Sequence, residues 1–248
     1  MTPKLEHSAS NFKEEAAIMK QLNHGNILKL HATCLSIEPL YLLTEFMSNG
    51  TLHDYLFSHP PFFRPSNLEI ASQVANGMAY MEQQGCIHRN LSSHTILVGN
   101  GDVFKVANFS CAKMLEPDQE IYQAPSNEVF KPPIRWSAPE SLLYQRFSSK
   151  SDVWSFGIIL YDIECGGTLL YYSGMTDNGE IPYSGLTDKE ILRRIQRDSK
   201  KLEKHFFSND KMLHGFILKA EPAHRPSFKS LKKNFQERHL LQELSGIC

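Results

Sequence analysis

The sequence predicts an α+β fold in which helices dominate and short strands lie near the amino terminus. Two features carry this prediction: apolar residues recur at helical spacing through several segments, and two short apolar runs early in the chain have the length of strands. The chain has 248 residues, of which 41% are hydrophobic and 21% are charged. This composition is typical of a globular protein, and the length suits one large domain or two small lobes.

An amphipathic helix is predicted first, from Phe12 to Leu22, because Ala16 and Met19 lie on the same stripe as the two end residues. Further along, Asn67 to Gln84 is predicted to be a helix that ends at Gly85, a residue type common just beyond helix ends. The remaining predicted elements are two strands followed by helices: Ile27 to Leu30, Leu40 to Leu43, Thr51 to Phe57, Asp152 to Glu164, Lys189 to Arg197, Lys211 to Lys219 and Ser227 to Leu241.

Charge and cysteine content exclude several functional classes. The formal net charge is -1, so neither nucleic acid nor a charged membrane surface is an expected partner. The five cysteines are scattered without metal-binding spacing, which favours free thiols in a reducing compartment. No apolar stretch is long enough to span a membrane and no leader-like segment opens the chain, so we expect a cytoplasmic protein.

The most informative segment, His88 to Leu97, reads H-R-N-L-S-S-H-T-I-L and resembles the catalytic loop of protein kinases, H-R-D-L-x-x-x-N. The frame residues His88 and Arg89 are present. In that family the aspartate accepts the substrate hydroxyl proton and the asparagine holds magnesium. Here Asn90 stands at the base position and Thr95 at the metal position. Because an amide has no titratable carboxylate, Asn90 cannot act as a general base.

A second magnesium position is altered in the same way. Asn108-Phe109-Ser110 follows a strand-like run and resembles the family's D-F-G triplet, whose aspartate holds the main magnesium ion. Asn108 offers only a neutral carbonyl oxygen, so we expect it to hold a hard cation much less well. Ser110 replaces a glycine that gives the loop unusual backbone freedom.

The rest of the chain carries the resemblance to protein kinases, because three further motifs occur in family order. They are the A-P-E segment, the start of the central helix and the late arginine motif: Ile134 to Glu140, Ser151 to Gly157, and Glu221 to Phe228. The resemblance covers Phe12 to Leu240, and its wording is similar to cytoplasmic tyrosine kinases of the Src-like kind. It implies a bilobal kinase-like fold with a mostly helical large lobe.

The resemblance also implies a division of the chain and a cut-down small lobe. Residues 1–11 are expected to be loose, 12–46 to form a partial small lobe, 47–241 the large lobe and 242–248 a tail. Glu15 falls on the ion-pairing glutamate of the αC helix. Its lysine partner belongs to an earlier strand that is not visible in this sequence, and no glycine-rich loop precedes Phe12.

Other positions acquire roles only through this resemblance. Four positions match residues that line the family's nucleotide pocket. Thr44 matches the residue at the back of the pocket, Glu45 and Met47 match the hinge between the lobes, and Leu97 matches the residue below the base. Four positions match the family's regulatory stack of packed side chains: Met19, Leu30, His88 and Phe109. Asp152 matches the residue that hydrogen-bonds the backbone of the catalytic loop. Glu140 and Arg225 match a structural ion pair, and Tyr122 matches a tyrosine of the activation segment. A phosphate on Tyr122 is expected to pair with Arg89, although an ordinary exposed tyrosine is an equal alternative.

These substitutions predict a catalytically inactive, tyrosine-kinase-like pseudokinase that acts by binding a protein, such as an active kinase or its substrate. No cofactor is expected, and ATP with magnesium would bind only if residual affinity survives. Two alternatives stay open: an active ATP-dependent protein tyrosine kinase, and a truncated, non-functional product of a kinase gene.

Overall fold

The computed structural model describes residues 3–36, 39–126, 128, 130–166, 186–198, 217–219 and 221–245. Helices make up most of the regular structure and the strands are short, as predicted, but six of the eight described strands lie beyond the amino-terminal region, between residues 86 and 147. The helices are α1 Pro3–Gln21, α2 Leu52–Ser58, α3 Asn67–Gln83, α4 Pro139–Tyr144, α5 Ser149–Glu164, α6 Asp188–Asp198 and α7 Phe228–Ser245. The strands are β1 Leu30–Cys34, β2 Tyr41–Thr44, β3 Cys86–Ile87, β4 Ile96–Gly99, β5 Val103–Val106, β6 Lys113–Met114, β7 Tyr122–Gln123 and β8 Arg146–Phe147.

The strands pair in twos, and every pair is antiparallel. The pairs are β1 with β2, β3 with β6, β4 with β5, and β7 with β8. No larger sheet forms within the described ranges. A two-stranded pair is only marginally stable alone, so these strands depend on the helices packed against them.

Helix α1 begins at Pro3, earlier than the predicted start at Phe12. Residues 3–11, which we expected to be loose, are therefore helical. A proline is tolerated in the first helical turn, and the alanine, leucine, lysine and glutamate that follow favour a helix. Ala16, Met19 and Leu22 are buried, as the apolar stripe predicted.

The first strand also starts later than predicted, at Leu30 rather than Ile27. Ile27 forms an isolated bridge with Val106, and the Leu28 N–H donates to the Val106 carbonyl at 2.9 Å. Ile27 and Leu28, which were predicted to begin the strand, therefore contact β5 instead, and the pairing of β1 with β2 starts only at Leu30. A local sequence window cannot reveal such a distant partner.

Helices α3 and α5 form the centre of the fold, and both were predicted. The Ser66 hydroxyl caps α3 by accepting from the Glu69 N–H at 3.2 Å, and Gly85 follows the helix with φ of 65°. Helix α5 is buried on nearly every side, and α3 packs against α5, α7 and β5. The predicted helix from Lys211 to Lys219 lies mostly outside the described residues.

Candidate functional site

The loop that resembles a catalytic loop is hydrogen-bonded to a side chain of helix α5. Asp152 accepts hydrogen bonds from the N–H groups of His88 at 2.7 Å and Arg89 at 2.9 Å. These bonds support Arg89 in the left-handed region, with φ of 66°, where a residue with a β-carbon is strained. Burial raises the pKa of Asp152 to about 7, although the two N–H groups oppose the shift by favouring the carboxylate.

His88 is fully buried between this loop and the strand that precedes Asn108. Its Nε2 lies 2.9 Å from the Ala107 carbonyl oxygen, and its ring centroid is 5.7 Å from that of Phe109. Burial lowers the pKa of His88 to about 4, despite the hydrogen bond to Ala107. The imidazole is therefore neutral near pH 7 and acts as a packing and bracing group.

At the first metal position, the Thr95 hydroxyl is turned into its own loop. Its Oγ1 accepts from the Ser92 N–H at 2.9 Å and lies 3.1 Å from the Asn90 carbonyl and 3.0 Å from the Ser92 carbonyl. Thr95 is buried, so its oxygen stabilises the turn instead of facing a cation. Asn90, at the base position, is held by its backbone N–H, 3.3 Å from Nδ1 of His88.

At the second metal position, Asn108 also has an internal partner. Its Oδ1 accepts a hydrogen bond from the Ser110 hydroxyl at 2.7 Å. Asn108 adopts the left-handed conformation, with φ of 60°, which asparagine tolerates better than most residues. The substitution of glycine by Ser110 therefore supplies the group that occupies the amide oxygen.

These residues do not fit magnesium as protein kinases bind it. Magnesium prefers carboxylate and phosphate oxygens in octahedral geometry. Positions 90, 95 and 108 provide neutral groups, and the Thr95 and Asn108 oxygens are already hydrogen-bonded. No group of three histidine, cysteine, aspartate or glutamate side chains suited to a metal occurs in the described part of the chain.

The hinge-like positions form a small hydrogen-bonded group of their own. Lys105 Nζ donates to both carboxylate oxygens of Glu45 at 2.8 Å, and the Lys29 N–H donates at 2.7 Å. Burial alone would raise the pKa of Glu45, but these donors outweigh it and hold the pKa below its usual range. Leu97 bridges to Thr51, next to the start of α2. The partner lysine for Glu45 was not foreseen from the sequence.

Met47 lies against the β4–β5 pair, and Thr44 ends β2. A β-carbon on Gly99 would be 3.2 Å from the Met47 methyl group, so this contact is tight. Thr44 therefore lies on β2 and Leu97 on β4, with Met47 beside Gly99 at the end of β4. That these positions line a nucleotide pocket remains a prediction.

The regulatory-stack positions lie where α1 meets the Asn108 segment. Helix α1 packs against the turn Phe109–Cys111 and against β1. Met19 and Phe109 are buried, and Leu30 packs against the same core. Burial raises the pKa of Glu15, although the Phe109 N–H opposes this shift. None of the basic side chains that the structure describes forms an ion pair with Glu15.

Arg89 already has an anionic partner in the activation-like segment. Its Nη2 lies 2.5 Å from Oε1 of Glu128, and its guanidinium is within 4.8 Å of the ring centroids of Tyr122, Phe130 and Phe147. The Tyr122 hydroxyl donates to the other oxygen of Glu128 at 2.9 Å. Burial and the Glu128 carboxylate raise the pKa of Tyr122.

The Arg89 guanidinium lies over the Tyr122 ring, and Glu128 bridges Arg89 and the Tyr122 hydroxyl. The pairing of a Tyr122 phosphate with Arg89 remains a prediction. Glu128 was missed, because it follows Tyr122 by six residues in a loop without periodicity. A phosphate on Tyr122 would face the Glu128 carboxylate as well as Arg89, and like charges repel.

Glu140 and Arg225 form a bidentate ion pair, with distances of 2.5 and 2.9 Å. The Arg225 side chain is completely buried and also donates to the carbonyls of Lys219 and Lys150. The pair therefore fastens the A-P-E-like segment to the loop before α7, as the resemblance implied.

With this geometry in view, comparison with known proteins defines the class. Residues 2–235 match the family described as protein tyrosine and serine/threonine kinase. The match covers most of the chain, which therefore belongs to the protein kinase family and is a tyrosine-kinase-like domain with an α+β fold.

Its relatives include several tyrosine-protein kinases. The human tyrosine-protein kinase FRK is 35% identical over 235 residues, which cover 92% of this chain and 43% of FRK. From Spongilla lacustris, SRK2 is 38% identical over 93% of this chain and 60% of SRK2. SRK3 of the same organism is 35% identical over 93% of this chain and 65% of SRK3. The chain thus spans 43–65% of the length of these relatives. In the described ranges, no helix is both long enough and apolar enough to cross a membrane.

Proposed function

We propose that this chain is a catalytically inactive tyrosine-kinase-like domain that acts by binding another protein. The proposal rests on the hydrogen bonds that the side-chain oxygens at the two magnesium positions make within the chain. Thr95 and Asn108 are neutral, and their oxygens are engaged within the chain. Phosphoryl transfer depends mainly on positioning and on metal and lysine charges that stabilise the moving phosphoryl group. A site without those charges has little catalytic power.

The retained framework supports a mechanical role. Asp152 still braces the loop, and the buried Glu140–Arg225 pair still fastens the A-P-E-like segment. Both features order surfaces that a partner protein could recognise, such as an active kinase or a kinase substrate. Large exposed apolar side chains, including Phe62 at 96% and Phe63 at 79%, are also suited to a protein interface.

One alternative is an active protein tyrosine kinase, which the names of the relatives favour. In that case ATP and magnesium would bind through groups other than the three altered positions. The retained loop frame is compatible with this alternative, but the base position offers only the amide of Asn90.

A phosphotransfer assay separates the two functions. The 248-residue chain is incubated with ATP, magnesium and a tyrosine-containing peptide, beside matched chains carrying Asn90→Ala and Asn108→Ala. We expect the unmodified chain to transfer no more phosphate than either variant. Transfer by the unmodified chain that disappears in the variants would overturn the proposal and establish an active kinase.

A further inference from the structure

A buried polar cluster lies away from the altered metal positions and joins α2 to α5. His53, on α2, is 6% exposed, and Asp162, on α5, is 0% exposed. Nδ1 of His53 lies 3.9 Å from Oδ2 of Asp162. The ring of His94, in the catalytic-loop-like segment, packs against that of His53 at an interplanar angle of 46°, with a centroid distance of 4.4 Å. His94 is exposed, and its ring also makes a T-shaped contact with that of Trp136.

Asp162 is in an electrostatically unfavourable place for an isolated carboxylate. Neither of its oxygens accepts a hydrogen bond from any group that the structure describes. It also lies in the last turn of α5, where the helix dipole disfavours a negative charge. Burying an ion without a counter-charge is very costly, so a carboxylate at this position calls for a nearby cation.

His53 is the cation that the geometry supplies. Within the described ranges it is the one basic side chain within 4.0 Å of Asp162. Arg64 is nearby along the fold, but its Nη2 donates to the Ile163 carbonyl at 3.1 Å and to Asn67 at 3.2 Å. The permanent charge of Arg64 is therefore directed to the helix end and not to the carboxylate.

We propose that His53 is protonated in the folded protein and forms with Asp162 a buried imidazolium–carboxylate pair, which makes this contact between α2 and α5 depend on pH. His94 remains neutral, because a second positive ring in contact with His53 would be repelled. Asp54 adds a further negative charge near the pair, whereas the amino-terminal end of α2 opposes a positive charge on His53.

The electrostatic environment agrees with this assignment. Asp162 raises the pKa of His53, with a smaller contribution from Asp54, and this outweighs the opposing effect of burial. Burial lowers the pKa of His94, and the charge of His53 lowers it further, although Asp162 and Asp54 oppose the shift. The pKa values of the two neighbouring histidines are thus shifted in opposite directions, so that the pair holds one proton, on His53.

The sign of the pH effect follows from the raised pKa of His53. The pair contributes its full stability below the ordinary histidine pKa of 6.5, and this contribution is lost as pH rises through the raised folded-state pKa. Within that window the folding equilibrium constant falls by at most about tenfold per pH unit, because a single proton is involved. The same helix, α2, also buries Leu52, Tyr55 and Leu56 in the core.

The test compares urea denaturation of the 248-residue chain with that of Asp162→Asn between pH 6 and pH 8.5. Taking the difference removes the contributions of other titrating groups, including Asp152 and His88. We expect the folding constant of the unmodified chain to fall with pH relative to Asp162→Asn. The matched control is His31→Gln, at an exposed histidine on β1, which should follow the unmodified chain. Parallel curves for the chain and Asp162→Asn would overturn the proposal.

NMR titration of the histidine rings of the unmodified chain gives an independent readout, because it reports the protonation of each ring and not a difference in stability. The His53 ring signal, assigned by its loss in His53→Gln, should titrate above pH 6.5 and above His94. Titration of His53 at or below pH 6.5 would overturn the proposal. This inference does not depend on whether the domain transfers phosphate, so the two can fail separately.

Discussion

At positions 95 and 108, the lost metal ligands have been replaced by groups with new internal partners. Thr95 closes its own loop, and Asn108 accepts from Ser110. The loss of charge was predicted from the sequence, because asparagine at position 108 is neutral where the family has an aspartate. The sequence did not predict these hydrogen bonds, since they depend on side-chain directions that spacing does not fix.

Long-range charged pairs were the least predictable features at this scale. Glu128 lies 39 residues from Arg89, and Lys105 lies 60 residues from Glu45. Neither acidic residue stands in a periodic segment with its partner, so only the folded chain brings the charges together. The Glu140–Arg225 pair was predicted because both residues stand in motifs with a fixed order.

The contact between Tyr122 and Glu128 predicts how the tyrosine responds to an added tyrosine kinase. Glu128→Gln removes the carboxylate that holds the Tyr122 hydroxyl and that would repel an incoming phosphate. We expect an added active kinase to phosphorylate Tyr122 several-fold faster in this variant, measured by mass spectrometry of the Tyr122 peptide.

The matched control is Glu120→Gln, which removes an exposed acidic side chain two residues before the tyrosine. It should leave the rate close to that of the unmodified chain. Equal rates in Glu128→Gln and the unmodified chain would mean that Glu128 does not restrain Tyr122.

At the scale of elements, helices with complete local signals were predicted closely. Helix α3 has an apolar stripe, a serine cap and a following glycine, and its observed bounds differ from the prediction by one residue. Boundaries set by distant contacts were predicted less well. Strand β1 starts later than predicted because the Leu28 N–H bonds to the distant Val106 carbonyl. The early start of α1 has a local cause, because its first residues favour a helix although they show no apolar stripe.

Close packing of α3 against the loop before β1 yields a prediction about Gly77. A β-carbon there would lie 2.5 Å from the Asn26 carbonyl oxygen, which is already held by the Val106 N–H at 2.9 Å. Gly77→Ala should therefore destabilise the chain by about 1–3 kcal/mol, despite the better helix propensity of alanine. Urea denaturation measures the change.

Gly25→Ala is the control for this substitution. Gly25 is exposed, and nothing lies within 4 Å of the added β-carbon, so the free energy of unfolding should change by less than about 0.5 kcal/mol. A Gly77→Ala chain as stable as the unmodified one would show that the loop moves away from α3 without cost.

For the molecule as a whole, the kinase-like fold was readable from motif order, because widely spaced motifs must meet in one arrangement to form the family's site. The core they share is dominated by α3, α5 and α7. The buried cluster of His53 and Asp162 was not readable, since its members belong to separate helices and stand in no motif. The predicted division into a partial small lobe and a large lobe remains a prediction.

The central claim is that the domain folds but no longer binds magnesium and nucleotide for phosphoryl transfer. A thermal melt tests both the folding and the binding. The 248-residue chain is heated alone and then with millimolar ATP and magnesium. A ligand at 100 times its dissociation constant would stabilise the fold by about 2.7 kcal/mol and raise the midpoint by several degrees. We predict one cooperative transition whose midpoint does not move. A magnesium-dependent rise that disappears in Asn108→Ala would contradict the account.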